Sequence, residues 1–102
     1  MQQLDSTNYH NLINSDKLTL VKFATNWCGP CKVLTPILDD VVKNYEDINV
    51  GEVDIDIHMD LAVRDGIRGV PTVVFYKNGV VVDRMVGLHN GQIYKQKIES
   101  LK

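Results

Sequence analysis

The sequence predicts an α/β fold of three layers, with helices on both faces of a central mixed sheet. Three observations predict it: short apolar strands alternate with amphipathic helices through most of the chain, an Asn-Gly pair then joins two strands, and a final amphipathic stretch closes it. The order reads β-α-β-α-β-α followed by β-β-α, parallel units first and an antiparallel hairpin after. The 102 residues suit one domain, 1–102, because compact domains cluster near ~100 to 150 residues.

Each element has a local reason. Asp5-Ser6-Thr7-Asn8 offers capping side chains ahead of Tyr9, Leu12 and Ile13, which share one face of a short helix. Leu18–Ala24 is apolar except for Lys22 and short enough for a strand buried on both faces, so Lys22 is an anomaly. From Pro30 onward Val33, Ile37, Val41 and Tyr45 form one row and Leu34, Leu38 and Val42 a second, the wide stripe of a helix packed on a sheet. Pro36 cannot donate to the Lys32 carbonyl, which predicts a kink there. Ile48, Val50, Val53, Ile55 and Ile57 read as a strand with a phase change at Gly51-Glu52, followed by a weaker helix from about His58 to Arg64. Thr72–Lys77 and Val80–Val86 flank Asn78-Gly79, a pair whose tolerance of positive φ favours a tight hairpin. Asn90 can cap a last helix whose Ile93, Tyr94, Ile98 and Leu101 share a face.

Composition excludes several functions. With 44% hydrophobic and 24% charged residues the chain is neither disordered nor low in complexity. A formal charge of −2 and no Lys/Arg cluster argue against nucleic-acid binding. Apolar runs such as Val80–Val82 fall far short of the roughly 20 residues that span a bilayer, and Met1–Asp5 lacks the basic and apolar regions of a signal peptide. The expectation is a soluble cytoplasmic protein with no membrane partner. Two cysteines are too few for a disulfide scaffold.

Those two cysteines carry the chemistry. Trp27-Cys28-Gly29-Pro30-Cys31 joins the end of a predicted strand to the start of a helix, where free backbone N–H groups and the helix dipole favour negative charge. Cys28 is the expected acidic thiol, because helix N-termini and Cys-X-X-Cys loops lower thiol pKa values below the free ~8.5. Cys31, one turn further in, is expected to be more buried. Cys28 can attack a substrate disulfide, and Cys31 is near enough to attack the Cys28 sulfur and release reduced product. Two other readings are a structural zinc half-site and a pair of inert thiols. Zinc needs four ligands, and His10, His58 and His89 are scattered, without a second paired motif. No catalytic role or metal falls to the histidines, which are expected at the surface. Asp54, Asp56 and Asp60 match no calcium loop and read as strand-end and helix-cap residues.

Trp27-Cys28-Gly29-Pro30-Cys31-Lys32, Pro36 beyond it and Gly66-Ile67-Arg68-Gly69-Val70-Pro71-Thr72 downstream resemble the thioredoxin family over nearly the whole chain. The resemblance implies the thioredoxin fold and a dithiol reductant of protein disulfides. No bound cofactor is implied: the redox-active Cys28/Cys31 pair would be recycled by thioredoxin reductase, an NADPH-dependent flavoprotein. It also implies a monomer. Carried over by position, Pro71 resembles the family's cis-proline, which faces the dithiol and leaves the backbone of Val70 free to pair with an extended substrate. Trp27, Gly29, Pro30, Gly69, Val70, Val86, Gly87 and Leu88 would then line a shallow apolar groove around Cys28. The competing reading makes Val70, Val86 and Leu88 ordinary core.

Two positions depart from the family. Six residues before the first cysteine, where the family commonly carries a buried aspartate, stands Lys22, and the family's partner lysine corresponds to Glu52. The expectation is a charge-swapped pair acting on Cys31, since a buried lysine keeps its charge only beside a carboxylate. The competing reading has Lys22 snorkelling to solvent without meeting Glu52. A charged Lys22 near Cys31 would favour its thiolate and make the protein more oxidising, towards an oxidase or isomerase, whereas a neutral Lys22 would instead accept the proton of Cys31. A third function is a binding subunit that uses the groove with the dithiol incidental. Ala24 stands where the family often has an aromatic residue, which predicts looser packing near Cys31.

Overall fold

A computed structural model describes all residues 1–102. The strands are β1 (Gln2–Gln3), β2 (Leu18–Ala24), β3 (Ile48–Asp54), β4 (Thr72–Lys77) and β5 (Val80–Val86). The helices are α1 (Ser6–Ile13), α2 (Gly29–Val42), α3 (Met59–Arg64) and α4 (Gly91–Leu101). The sheet order is β1-β3-β2-β4-β5. β3 runs parallel to both β1 and β2, whereas β4 is antiparallel to β2 and β5. This is the expected mixed sheet; β1 is the strand that no apolar run announces.

Alternation along β2 divides the core. Val21 and Phe23 face α1 and α3 with Tyr9, Ile13, Val53, Leu61, Val74 and Tyr76. Leu18 and Leu20 face the opposite way, against Leu34, Leu38, Val41, Tyr94 and Ile98 of α2 and α4. All seven β2 residues are buried, as a central strand covered on both sides must be.

The caps behave as the side chains dictate. Asp5 accepts from the Thr7 and Asn8 amides, and Asn8 accepts in return from the Asp5 amide. These amide bonds hold the Asp5 carboxyl below the usual carboxylate range. Asn90 accepts from Ile93 N at 3.0 Å and starts α4. At the hairpin both Asn78 (φ 53°) and Gly79 (φ 78°) are left-handed, and their amides donate to Ser15 and Ile13 carbonyls.

Several expectations need correction. β3 ends at Asp54, and Ile57 is exposed beyond it. The phase change at Gly51-Glu52 is a switch of faces: the register to β2 is unbroken from Ile48 to Asp54, with Val50 and Glu52 on the α2 side and Val53 on the other. Gly51 leaves room for Leu4, whose side chain lies where a Cβ would be. In α2, Val33 points to solvent and Tyr45 lies past the helix end, although Tyr45 still packs on the α2/α4 core. The helix is unbroken through Pro36, as a helix with the expected proline kink also is.

Candidate active site

The end of β2 delivers the chain to the N-terminus of α2, and Cys28 is the residue at the junction. Its extended backbone (φ −88°, ψ 114°) leaves its Sγ over the first turn, where it accepts the Cys31 N–H at 3.2 Å. Pro30 follows inside the first turn, a position that needs no amide donor. A sulfur held there meets both a backbone N–H and the positive end of a fourteen-residue helix, so negative charge on Cys28 is stabilised. Cys31 lies one turn in and is the more buried, 2% exposed against 6% for Cys28. The two are joined as a disulfide with Cα atoms 5.2 Å apart.

Cys28, Cys31 and Ala24 form a small apolar cluster against which Val70 packs. The Val70–Pro71 bond is cis, and Pro71 is buried. The Pro71 carbonyl accepts from Gly87 N at 2.8 Å, and the Gly69 carbonyl accepts from the Thr72 hydroxyl at 2.7 Å, so two bonds fix the loop. Gly87 has φ 87°, a conformation other residues rarely adopt. Trp27, Gly29, Pro30, Gly69, Val86 and Leu88 are exposed, with Trp27 at 73%, while Val70 and Gly87 are half-buried. The reading of Val86 and Leu88 as ordinary core is therefore excluded. The Trp27 indole N–H donates to Asp56 Oδ2 at 2.9 Å. Sequence reasoning gave Asp56 only a capping role and missed this contact, since nothing in the local pattern links the two loops.

Beneath the dithiol, Lys22 and Glu52 are direct neighbours in the parallel register of β2 and β3. Lys22 Nζ lies 3.0 Å from Glu52 Oε1, and the lysine is 1% exposed, so the snorkelling reading fails. Lys22 Nζ also donates to the Cys31 carbonyl at 2.7 Å and to the Thr35 hydroxyl. Gln3, the register partner of Glu52 on β1, donates to Glu52 Oε2 at 2.6 Å. The buried ammonium thus has three oxygen partners, as a charge withdrawn from water requires. Thr35 and Gln3 went unforeseen because their roles depend on helix docking and strand register. A polar pocket of about 170 Å3 beside Cys31 is lined by Lys22, Thr25, Thr35 and Glu52, and one of about 120 Å3 adjoins Ala24. Thr25 Oγ1 is buried there without a partner.

His10 is exposed, while His58 and His89 are half-buried. His58 precedes α3 and His89 Nε2 lies 2.9 Å from the Val86 carbonyl, so the three do not converge.

The Thioredoxin family model matches residues 1–100. The chain belongs to the thioredoxin family. It is 46% identical over 78 residues to the mitochondrial thioredoxin of Bos taurus, a match covering 76% of this chain and 47% of that protein. It is 38% identical over 89 residues to thioredoxin-2 of Saccharomyces cerevisiae, covering 87% of this chain and 85% of the relative. The match thus spans about half the length of the mitochondrial relatives and most of the yeast protein. Among solved structures, Plasmodium falciparum thioredoxin superposes with a TM-score of 0.90 at 30% identity, covering 100% of both chains. No helix is long and apolar enough to cross a membrane.

Proposed function

We propose that this thioredoxin-family chain is a protein-disulfide reductase that transfers two electrons from the Cys28/Cys31 dithiol to a disulfide in a polypeptide substrate. The Cys28 thiolate attacks one substrate sulfur; a new S–S bond forms, the substrate S–S bond breaks, and the departing sulfur takes a proton. Cys31, deprotonated, then attacks Cys28 Sγ, breaking the mixed disulfide and releasing the second substrate sulfur, which is protonated in turn. The substrate ends as a dithiol and the protein as the Cys28–Cys31 disulfide. The observation that carries this reading is Cys28 Sγ at the start of α2, accepting the Cys31 amide with Cys31 itself one turn behind.

The remaining roles fit around it. Pro71 and Val70 shape the surface facing the dithiol, and Trp27, Gly29, Pro30, Gly69, Val86, Gly87 and Leu88 form the groove along which an extended chain lies. Lys22 and Glu52 act on Cys31 from below. In this reading thioredoxin reductase returns the electrons from NADPH, and the protein works as a monomer in the cytoplasm.

A second reading is favoured by the Lys22 ammonium at the Cys31 carbonyl: a cation beside the resolving thiolate stabilises the reduced state and makes the pair more oxidising.

The test of the step order uses serine variants with a disulfide-bearing protein. Cys31→Ser should accumulate a covalent mixed disulfide through Cys28, visible by mass and released by dithiothreitol, whereas Cys28→Ser should form none. Full function retained without either thiol would replace the reductase reading with that of a binding subunit.

A further inference from the structure

One side of the groove opens into a pocket that the dithiol chemistry leaves unused. It has a volume of about 380 Å3, and its lining includes Arg68, Gly69, Thr72, Arg84 and Val86. The pocket exists because the edge strand is covered on one side only. Met85 of β5 is buried in the α2/α4 core, so Arg84 and Val86 emerge on the opposite side of the sheet. The strand residues of the core on that side come from β2, β3 and β4, with none from β5. The segment from Gly66 to Gly69, after α3, forms the facing wall.

Arg68 and Arg84 are both exposed, and neither guanidinium makes an ion pair or hydrogen bond within the chain. The nearby acids are committed elsewhere. Asp83 is bound by Lys97 at 2.7 Å, and Asp65 by Arg64 together with the Tyr9 and Tyr76 hydroxyls. Two uncompensated cations therefore share one pocket in a chain of net charge −2. The pocket also continues into the groove: Gly69 directly precedes Val70, which packs on the dithiol cluster, and Val86 precedes Gly87, which binds Pro71.

We propose that the Arg68/Arg84 pocket receives an aspartate or glutamate side chain of the disulfide-bearing substrate, within a few residues of the attacked cysteine. This rests on the disulfide-reductase reading. A guanidinium presents paired N–H donors that match a carboxylate, and the apolar surface of Val86 beside it accommodates the methylenes of an acidic side chain. A polypeptide is the fitting source of the carboxylate because the pocket and the groove share a wall. The site would give the enzyme a charge preference at one substrate position, acting mainly on encounter and register.

The test uses pre-reduced protein in single-turnover reactions with extended disulfide peptides. Glu or Gln is placed in turn at each of the four positions on either side of the attacked cysteine, and acid quenching with thiol alkylation gives the second-order rate. At one position, or two adjacent ones, the Glu peptide should react about fivefold faster than its Gln counterpart at low salt, and the ratio should shrink as salt screens the pair. The ratio should fall to one in the Arg68→Gln/Arg84→Gln variant, and Arg84→Glu should turn the preference towards Lys peptides. Equal Glu and Gln rates at every position, or a preference that survives the double variant, would overturn the proposal. Failure of wild-type protein to reduce even the Gln peptides would instead remove the reductase reading, and this inference with it.

Discussion

Lys22 is 1% exposed, and its amino group is held by Glu52, Thr35 and the Cys31 carbonyl. A single cation in an otherwise apolar strand was legible as an anomaly, whereas its partner could be named only through the family resemblance, which puts Glu52 where the family carries its partner lysine. The rest of its surroundings was not legible. Thr35 and the Cys31 carbonyl reach Lys22 only because α2 packs over β2, and Gln3 reaches Glu52 only through the register of a two-residue strand. Removing one member of a buried pair strands the other, although Glu52, with its side chain 18% exposed, retains some access to water. Lys22→Met is therefore expected to cost about 2 to 3 kcal/mol in denaturant unfolding. Glu52→Gln should cost less in that background than in wild type, with a coupling of about 1 kcal/mol or more. Additive effects would show that the two side chains do not stabilise one another. If the pair also acts on Cys31, Lys22→Met will shift the pH profile of mixed-disulfide resolution.

At the scale of elements, the helices were legible where caps and stripes coincide, as at Asp5 and Asn90, and least where apolar residues continue past an end, as Tyr45 does after α2. β3 misled because its apolar residues change faces without a bulge, with Glu52 taking the α2-side position after Val50 in order to meet Lys22. α4 carries a different tension. Tyr94 and Ile98 bury its inner face, yet the Tyr94 hydroxyl has no hydrogen-bond partner, and burial pushes that phenol up to about 12. Tyr9 is likewise pushed up to about 12, by burial and its bond to Asp65, and Tyr76 is shifted upward for the same causes. For groups whose folded pKa is raised, the stabilisation is fully present below the unfolded value near ~10 and is lost as pH rises from there through the folded values. The fold should accordingly weaken from about pH 10 to 12. Tyr94→Phe removes an unsatisfied buried hydroxyl while keeping the ring, and should raise stability by about 1 kcal/mol at neutral pH, some 4 to 8 °C in Tm, while shrinking the alkaline loss. A lower Tm for that variant would mean that the hydroxyl is bonded in solution.

Over the whole molecule, the order of elements from α1 onward, the hairpin and the mixed sheet were legible because each rests on local chemistry, in apolar strands, Asn78-Gly79 and helix stripes, whereas the two polar residues of β1 give no such signal. The proposed groove could be named only through the resemblance carried by the Cys28–Cys31 and Val70-Pro71-Thr72 segments, since its residues come from separate loops. The Arg68/Arg84 pocket was not legible at all; it depends on which side of an edge strand a helix leaves uncovered. What joins these scales is the claim that the fold places Cys28 at a helix start, with Cys31 behind it, as a reducing pair. The midpoint reduction potential of Cys28/Cys31, measured by equilibration against defined thiol buffers, tests that claim most directly. A value near about −270 mV, the poise of a reducing dithiol, is the predicted result. A value between about −180 and −120 mV, the range of isomerases and oxidants, would contradict it and point to the Lys22 ammonium as the cause.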